Sequence, residues 1–320
     1  VADTVNRLGL GTSPLGNLYT EVTDREARAV VDAAWEAGVR IFDTAPHYGL
    51  GLAEQRLGAA LKDRPRAEFV LSTKVGRLLV PQPEGAGRLD DDGFAVPATL
   101  RREWDFSADG VRRSLDSSLE RLGLDRVDVV YLHDPDDHGD QAVNEAMPAL
   151  VALREQGVIG AIGAGMNQWQ MLARFVRESD VDTILLAGRY TLLEQPALAE
   201  LLPLCEERGV EVLAAGLFNS GLLARQEVPD DATYDYRTAP AAMVDRARRI
   251  AAICARHGTT LPAAALWFPF GHSAVTGALI GARSEAEIHA NVAAFETPPP
   301  AELWAELRDA GLLDVGVPTP

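Results

Sequence analysis

Cysteine is scarce in this chain. Two occur in 320 residues, Cys205 and Cys254, each inside a stretch of helical pattern. That spacing argues against a disulfide framework or a cysteine-bound metal, and reduced, buried thiols in a cytoplasmic setting are the expectation. Positive charge is also short: 30 Lys and Arg face 47 Asp and Glu, a formal net charge of -17. So acidic a balance speaks against a nucleic-acid footprint and against attraction to an anionic membrane surface, and says little about the substrate. No apolar run approaches the roughly 20 residues of a membrane span, and no signal-peptide pattern is read at the start. Zinc motifs, a nucleophile elbow and a Walker loop are missing, so no metal site is expected. Gly9-Leu10-Gly11-Thr12-Ser13-Pro14 lacks the third glycine of the dinucleotide fingerprint.

What is present is regular alternation. At 47% hydrophobic the chain can bury a full core, as one large α/β domain or two ordinary ones. Strand patterns at Arg7–Thr12, Arg40–Ala45, Phe69–Val75, Val127–His133, Ile159–Met166, Thr183–Ala187, Val210–Ala215 and Val275–Ile280 are each followed by at least one helical pattern. Asp24 is the expected cap of the first helix, Gly38 its stop, and Ser284 caps a late helix ending near Phe295. A further helix is expected from Pro300 to Ala310. Two long pieces, Arg77–Asp105 and Gly216–Ala239, carry no periodicity and are expected to be irregular functional loops. Eight strand-helix repeats with no linker suit a single (β/α)8 TIM barrel over residues 1–320 better than a doubly wound open sheet of five or six strands.

The stretch that organises the chemistry is Arg40-Ile41-Phe42-Asp43-Thr44-Ala45-Pro46-His47-Tyr48-Gly49. It puts a carboxylate at a strand end and a phenol five residues on. Two other strands end in Lys74 and His133. In a barrel all strand C-termini face one mouth, which would gather Asp43, Tyr48, Lys74 and His133. Each alone is as readily a cap, a surface ring or a solvated charge; together they suit proton transfer. A tyrosine titrates near 10, and lowering that by two or three units takes about 3–4 kcal/mol, within reach of a nearby ammonium in a partly dry site. Asp43 would partner the ammonium, and His133 would orient a substrate oxygen.

Asp43-Thr44-Ala45-Pro46-His47-Tyr48-Gly49, Ser72-Thr73-Lys74 and Tyr131-Leu132-His133-Asp134 resemble the catalytic segments of the aldo-keto reductase family. Leu8-Gly9-Leu10-Gly11-Thr12 and Ile280-Gly281-Ala282-Arg283-Ser284 through Asn291 resemble it too. The resemblance spans nearly the whole chain. It implies a barrel with long loops at its C-terminal mouth and an extra C-terminal helix, holding a nicotinamide cofactor extended across the mouth. Tyr48 would be the acid/base, Lys74 and Asp43 its tuners and His133 the substrate orienter. The cofactor set it implies is Gly11, Thr12, Asp43, Asn167, Phe218, Asn219, Ser220, Gly221, Leu222, Gly281, Arg283, Glu287 and Asn291.

Departures from the family pattern are visible. Gly165-Met166-Asn167 keeps the asparagine but loses the serine usual before it. Phe218 is a candidate for stacking on the nicotinamide, against plain packing. Glu287 stands where relatives that use NADPH commonly place an arginine on the 2′-phosphate. The expectation is therefore NAD preferred, with NADP tolerated through Arg283. Ile162–Trp169 and Ala187–Leu193 resemble the family's bacterial L-fucose and D-threo-aldose 1-dehydrogenases, a group that includes pyridoxal 4-dehydrogenase. That implies oxidation of a cyclic aldose at C1 to a lactone, with His47, Trp104 and His133 against the substrate. An NADPH-dependent aldehyde or ketone reductase, pyridoxal oxidation and a non-enzymatic redox-sensing subunit are the competing readings. Monomer and homodimer both stay open.

Overall fold

The computed structural model describes residues 7–235 and 237–320. Its strands are β1 Leu8–Gly11, β2 Ile41–Asp43, β3 Val70–Val75, β4 Arg77–Pro81, β5 Leu100–Trp104, β6 Val129–His133, β7 Ala161–Met166, β8 Thr183–Ala187, β9 Glu211–Ala215, β10 Thr233–Tyr234, β11 Arg237–Thr238 and β12 Val275–Gly281. Eight of them, in the order β1-β12-β9-β8-β7-β6-β3-β2, pair in parallel and close a barrel. The other four form two antiparallel pairs, β4 with β5 and β10 with β11.

Closure follows from the residue pattern. Alternate strand residues point inward, where Tyr131, Leu185, Leu213 and Leu279 form a separate apolar plug. Their neighbours point out against the helices and form the main core. Register then sets the mouth: Gly11 pairs with Asp43, Asp43 with Ser72, Lys74 with Tyr131 and His133 with Gly165. The Tyr131 hydroxyl lies 3.4 Å from Thr183 Oγ1, so the plug's one polar tip has a partner. A polar ring can therefore sit above a dry plug.

The first helix, Asp24–Glu36, buries Ala27, Val30, Val31 and Ala34 as its spacing requires. Its cap is Thr23, not Asp24: the Thr23 hydroxyl accepts from Glu26 N, and the Glu26 carboxylate accepts from Thr23 N. Such a reciprocal cap stabilises by about 1 kcal/mol. Ser284 caps Glu285–Glu296 as expected, and the terminal helix runs Ala301–Asp309 with Trp304 buried.

Neither long loop is wholly irregular. Arg77–Asp105 begins and ends as the β4–β5 hairpin, with Arg77 opposite Trp104. Its second strand is mostly exposed on both faces, so no alternation marks it in the sequence. Gly76 makes the turn into it at φ 104°, where an added Cβ would meet the Phe106 ring at 2.1 Å. The Gly216–Ala239 piece holds a short turn at Asn219–Gly221 and the β10–β11 pair; Tyr236 lies outside the described residues. Both thiols are buried and pushed up to about 12 by that burial, which leaves them inert. Among the described residues no helix is long and apolar enough to cross a membrane.

Candidate active site

Asp43 ends β2 with both carboxylate oxygens occupied. Ser72 Oγ donates to Oδ1 at 2.7 Å and Lys74 Nζ to Oδ2 at 2.6 Å. Lys74 also donates to the Thr44 carbonyl at 2.9 Å. Two of the ammonium's three donors are thus spent, and Nζ sits 4.9 Å from the centre of the Tyr48 ring. The Lys74 and Asp43 side chains are 1% and 3% exposed. Burial alone would discharge the lysine, yet Asp43 and Tyr48 hold its pKa above the usual value. Gly165 packs beside its stem: an added Cβ would stand 3.3 Å from Leu185 Cβ and in ordinary contact, at 3.6 Å, with Lys74 Cε.

Tyr48 corrects the electrostatic expectation. Burial, the largest influence, pushes its phenol up to about 12, while Lys74 pulls downward and Asp43 and Asp134 add to the rise. The ammonium limits the climb without reversing it.

Two imidazoles complete the ring. His47 and His133 meet edge to face at 5.5 Å, and each lies within 6.0 Å of the Tyr48 ring, centre to centre. The Nδ1 atoms of both are buried and without a hydrogen-bond partner. Burial, helped by Arg77 and other nearby cations, lowers the His47 pKa to about 2 and His133 well below its usual value. Both are neutral at working pH. A group with a depressed folded pKa takes up no proton as the unfolded chain does so below about 6.5, and stability falls by about 1.4 kcal/mol per pH unit for each. Thermal midpoints should therefore drop steeply from pH 6.5 to 4.5, and His47→Gln should flatten that slope.

Sequence reasoning missed Arg77, Asp134 and Phe94. Phe94 packs edge-on against His47 at 5.2 Å and lies 6.3 Å from Tyr48, walling the phenol from the hairpin tip. Arg77 pairs with Asp134, whose Oδ2 lies 3.6 Å from His133 Nε2. Asp134 adopts φ 42°, a left-handed backbone that aspartate tolerates better than most residues. Its place directly after His133 was a signal; the charge opposite it, 57 residues away, was not visible. Trp104 lies on β5, 42% exposed, with the Arg77 guanidinium 4.3 Å from its ring centre. It flanks the tetrad of Asp43, Tyr48, Lys74 and His133, reaching it through Arg77 and Asp134.

The remaining predicted residues fall in two groups. Gly11 pairs with Gly281 across the β1–β12 seam, and the Thr12 hydroxyl donates to the Asp43 carbonyl at 2.9 Å. Beyond them Arg283 donates from its guanidinium to Leu18 O. The Glu287 carboxylate accepts from Arg283 N at 2.7 Å, so it also ties down the chain just before its helix; Asn291 is half-buried one turn on. In the second group Asn167 donates to Ala187 O at 3.0 Å and leaves its own carbonyl oxygen uncommitted. Phe218 packs on the main core, so part of its ring is spent on packing. Asn219, Ser220 and Gly221 have φ of 46°, 58° and 103°, and Asn219 Oδ1 is buried without a partner. Leu222 is buried. No cluster of metal-ligating side chains occurs among the described residues.

Residues 7–311 match the family model described as the aldo/keto reductase family. The chain belongs to the aldo/keto reductase family. It is 51% identical to a D-threo-aldose 1-dehydrogenase of a Pseudomonas species, over 98% of this chain and 95% of that one. It is 41% identical to pyridoxal 4-dehydrogenase of Microbacterium luteolum, over 97% and 95%. Among solved structures, the holo form of an aldo-keto reductase from Bacillus halodurans superposes with a TM-score of 0.74 at 28% identity, covering 97% of this chain and 93% of that one. The barrel of this aldo-keto reductase is thus shared in both sequence and shape.

Proposed function

We propose that this aldo-keto reductase oxidises an aldose hemiacetal at C1 to the lactone, with an NAD-type cofactor and Tyr48 as acid/base. One observation carries the reading: a buried Asp43–Lys74 pair delivers an ammonium charge beside a phenol and two neutral imidazoles. The 51% identity to a D-threo-aldose 1-dehydrogenase supports the substrate class.

The residues fit a dinucleotide. The unpartnered Asn219 Oδ1 in a run of left-handed backbone, the free carbonyl of Asn167 and the Arg283–Glu287 pair offer polar groups along the mouth. Asn167 would hold the carboxamide, Asn219–Leu222 the pyrophosphate side, and Gly281 to Asn291 the adenosine end. A bound nicotinamide supplies the acceptor for the hydride that leaves C1. The chain's own part is the proton. Tyr48, as the phenolate that Lys74 stabilises, takes it from the anomeric hydroxyl and becomes the phenol, while Asp43 keeps Lys74 charged. Neutral His133 and His47 supply ring nitrogens for the substrate's oxygens, which satisfies groups otherwise buried without partners.

The test is absorbance growth at 340 nm with L-fucose, L-galactose and D-arabinose, each with NAD and with NADP. Turnover of aldoses supports the reading. Turnover of pyridoxal alone, or NADPH-driven reduction of aldehydes with no aldose oxidation, would replace it. On cofactor choice, a carboxylate at Glu287 repels a 2′-phosphate, so NAD should give the higher kcat/KM. Glu287→Gln keeps an acceptor for Arg283 N while removing the charge, and should raise the NADP to NAD ratio of kcat/KM by about tenfold. A wild-type enzyme that favours NADP, with a ratio unmoved by the variant, would refute the assignment.

A further inference from the structure

Beside the tetrad lies a cavity of about 220 Å³ lined by Arg77, Trp104, Asp134, Asp136, Asp137, His138, Asn167 and Gln168. It opens between the hairpin end, the turn that follows β6 and the residues after β7. Asp134 links it to the reaction centre, since the same carboxylate oxygen that pairs with Arg77 faces His133 Nε2.

Three of its features converge on one kind of ligand. Trp104 gives a large exposed ring, held flat by stacking on Phe106 at 6.0 Å and by the tilted His138 ring at 5.6 Å. Such a platform suits the apolar C–H face of a sugar. Arg77 is 8% exposed, and its Nε is buried with no partner, which leaves a donor for a hydroxyl oxygen. The charge on the walls is lopsided. Three aspartates face one arginine, and that arginine is already paired with Asp134. Acceptors for hydroxyl hydrogens are abundant, and the one arginine of the lining is already committed when an anion enters.

We propose that this cavity is the subsite for the sugar hydroxyls remote from C1, and that Asp136 and Asp137 make it select neutral aldoses over phosphorylated or acidic ones. The inference rests on the aldose reading and adds its specificity. The uncharged hydroxyls of the sugar bond to the Asp134 and Asp136 carboxylates while its C–H face lies along Trp104. A phosphate at the same place meets uncompensated carboxylates and is repelled.

The experiment compares kcat/KM for D-arabinose and D-arabinose 5-phosphate in the wild-type enzyme, in an Asp136→Asn/Asp137→Asn double variant and in Trp104→Ala. The wild type should favour the neutral sugar by at least about tenfold, a modest demand on two nearby charges. The double variant should raise kcat/KM for the phosphate and narrow the gap. Both aspartates are exposed, so folding is not at stake. Trp104→Ala should raise KM for D-arabinose several-fold with a smaller change in kcat. If D-arabinose turns over but the phosphate serves as well, or if the double variant leaves the ratio unmoved, the subsite is overturned and the aldose reading stands. If no aldose is oxidised with either cofactor, both fall.

Discussion

Tyr48→Phe should lower kcat for the proposed aldose oxidation by about 10²–10⁴-fold, the range that loss of a positioned acid/base costs. The ring stays in the cluster it shares with Leu50, Phe94 and Val96, so thermal stability changes little and KM stays within a few-fold. The same residue sets the pH profile. With its phenol near 12, Tyr48 is protonated at neutral pH. The phenolate fraction then rises about tenfold per pH unit below that value, and kcat/KM for oxidation should climb with pH from 7 to 9. Reduction of an aldehyde needs the protonated form and should not climb over that range. A Phe variant retaining most of its rate, or an oxidation profile flat from 7 to 9, would remove the phenol from the chemistry.

The sign of that profile could not be taken from the sequence. Lys74 was legible as a neighbour of Tyr48, because parallel strands in a barrel end at one mouth and Asp43, Lys74 and His133 each close a strand. Distance to solvent was not legible. Burial outweighs the ammonium for Tyr48, and only the packing of Phe94 from the hairpin shows how dry the phenol is. Local pattern likewise revealed the eight barrel strands and the Ser284 cap, whose hydrogen bonds span three residues. It did not reveal β4 and β5. Leu100 to Trp104 is polar and mostly exposed, so its strand state comes from pairing with Arg77 to Pro81 across some twenty residues of tip. The Arg77–Asp134 pair depends on that hairpin and was hidden with it. Glu287 shows the opposite case, where a residue read for its charge proved also to hold the backbone just before its helix.

Breaking the Asp43–Lys74 pair from one side should be the most destabilising change in the site. Both side chains are almost fully buried, and each is the other's charge partner. Asp43→Asn leaves the ammonium with the Thr44 carbonyl and Tyr48; Lys74→Met leaves the carboxylate with the Ser72 hydroxyl. Each single change should cost roughly 3–5 kcal/mol, the penalty for a buried charge deprived of its partner. Combining them removes both charges, so the double variant should be more stable than the sum of the singles implies, by about 1–3 kcal/mol. Urea unfolding of the four proteins measures this directly. All three variants should also lose aldose turnover, since either the charge beside Tyr48 or the group that holds it in place is gone. Additive losses in the double variant would mean that the two side chains are stabilised independently, and that Asp43 does not keep Lys74 charged beside the phenol.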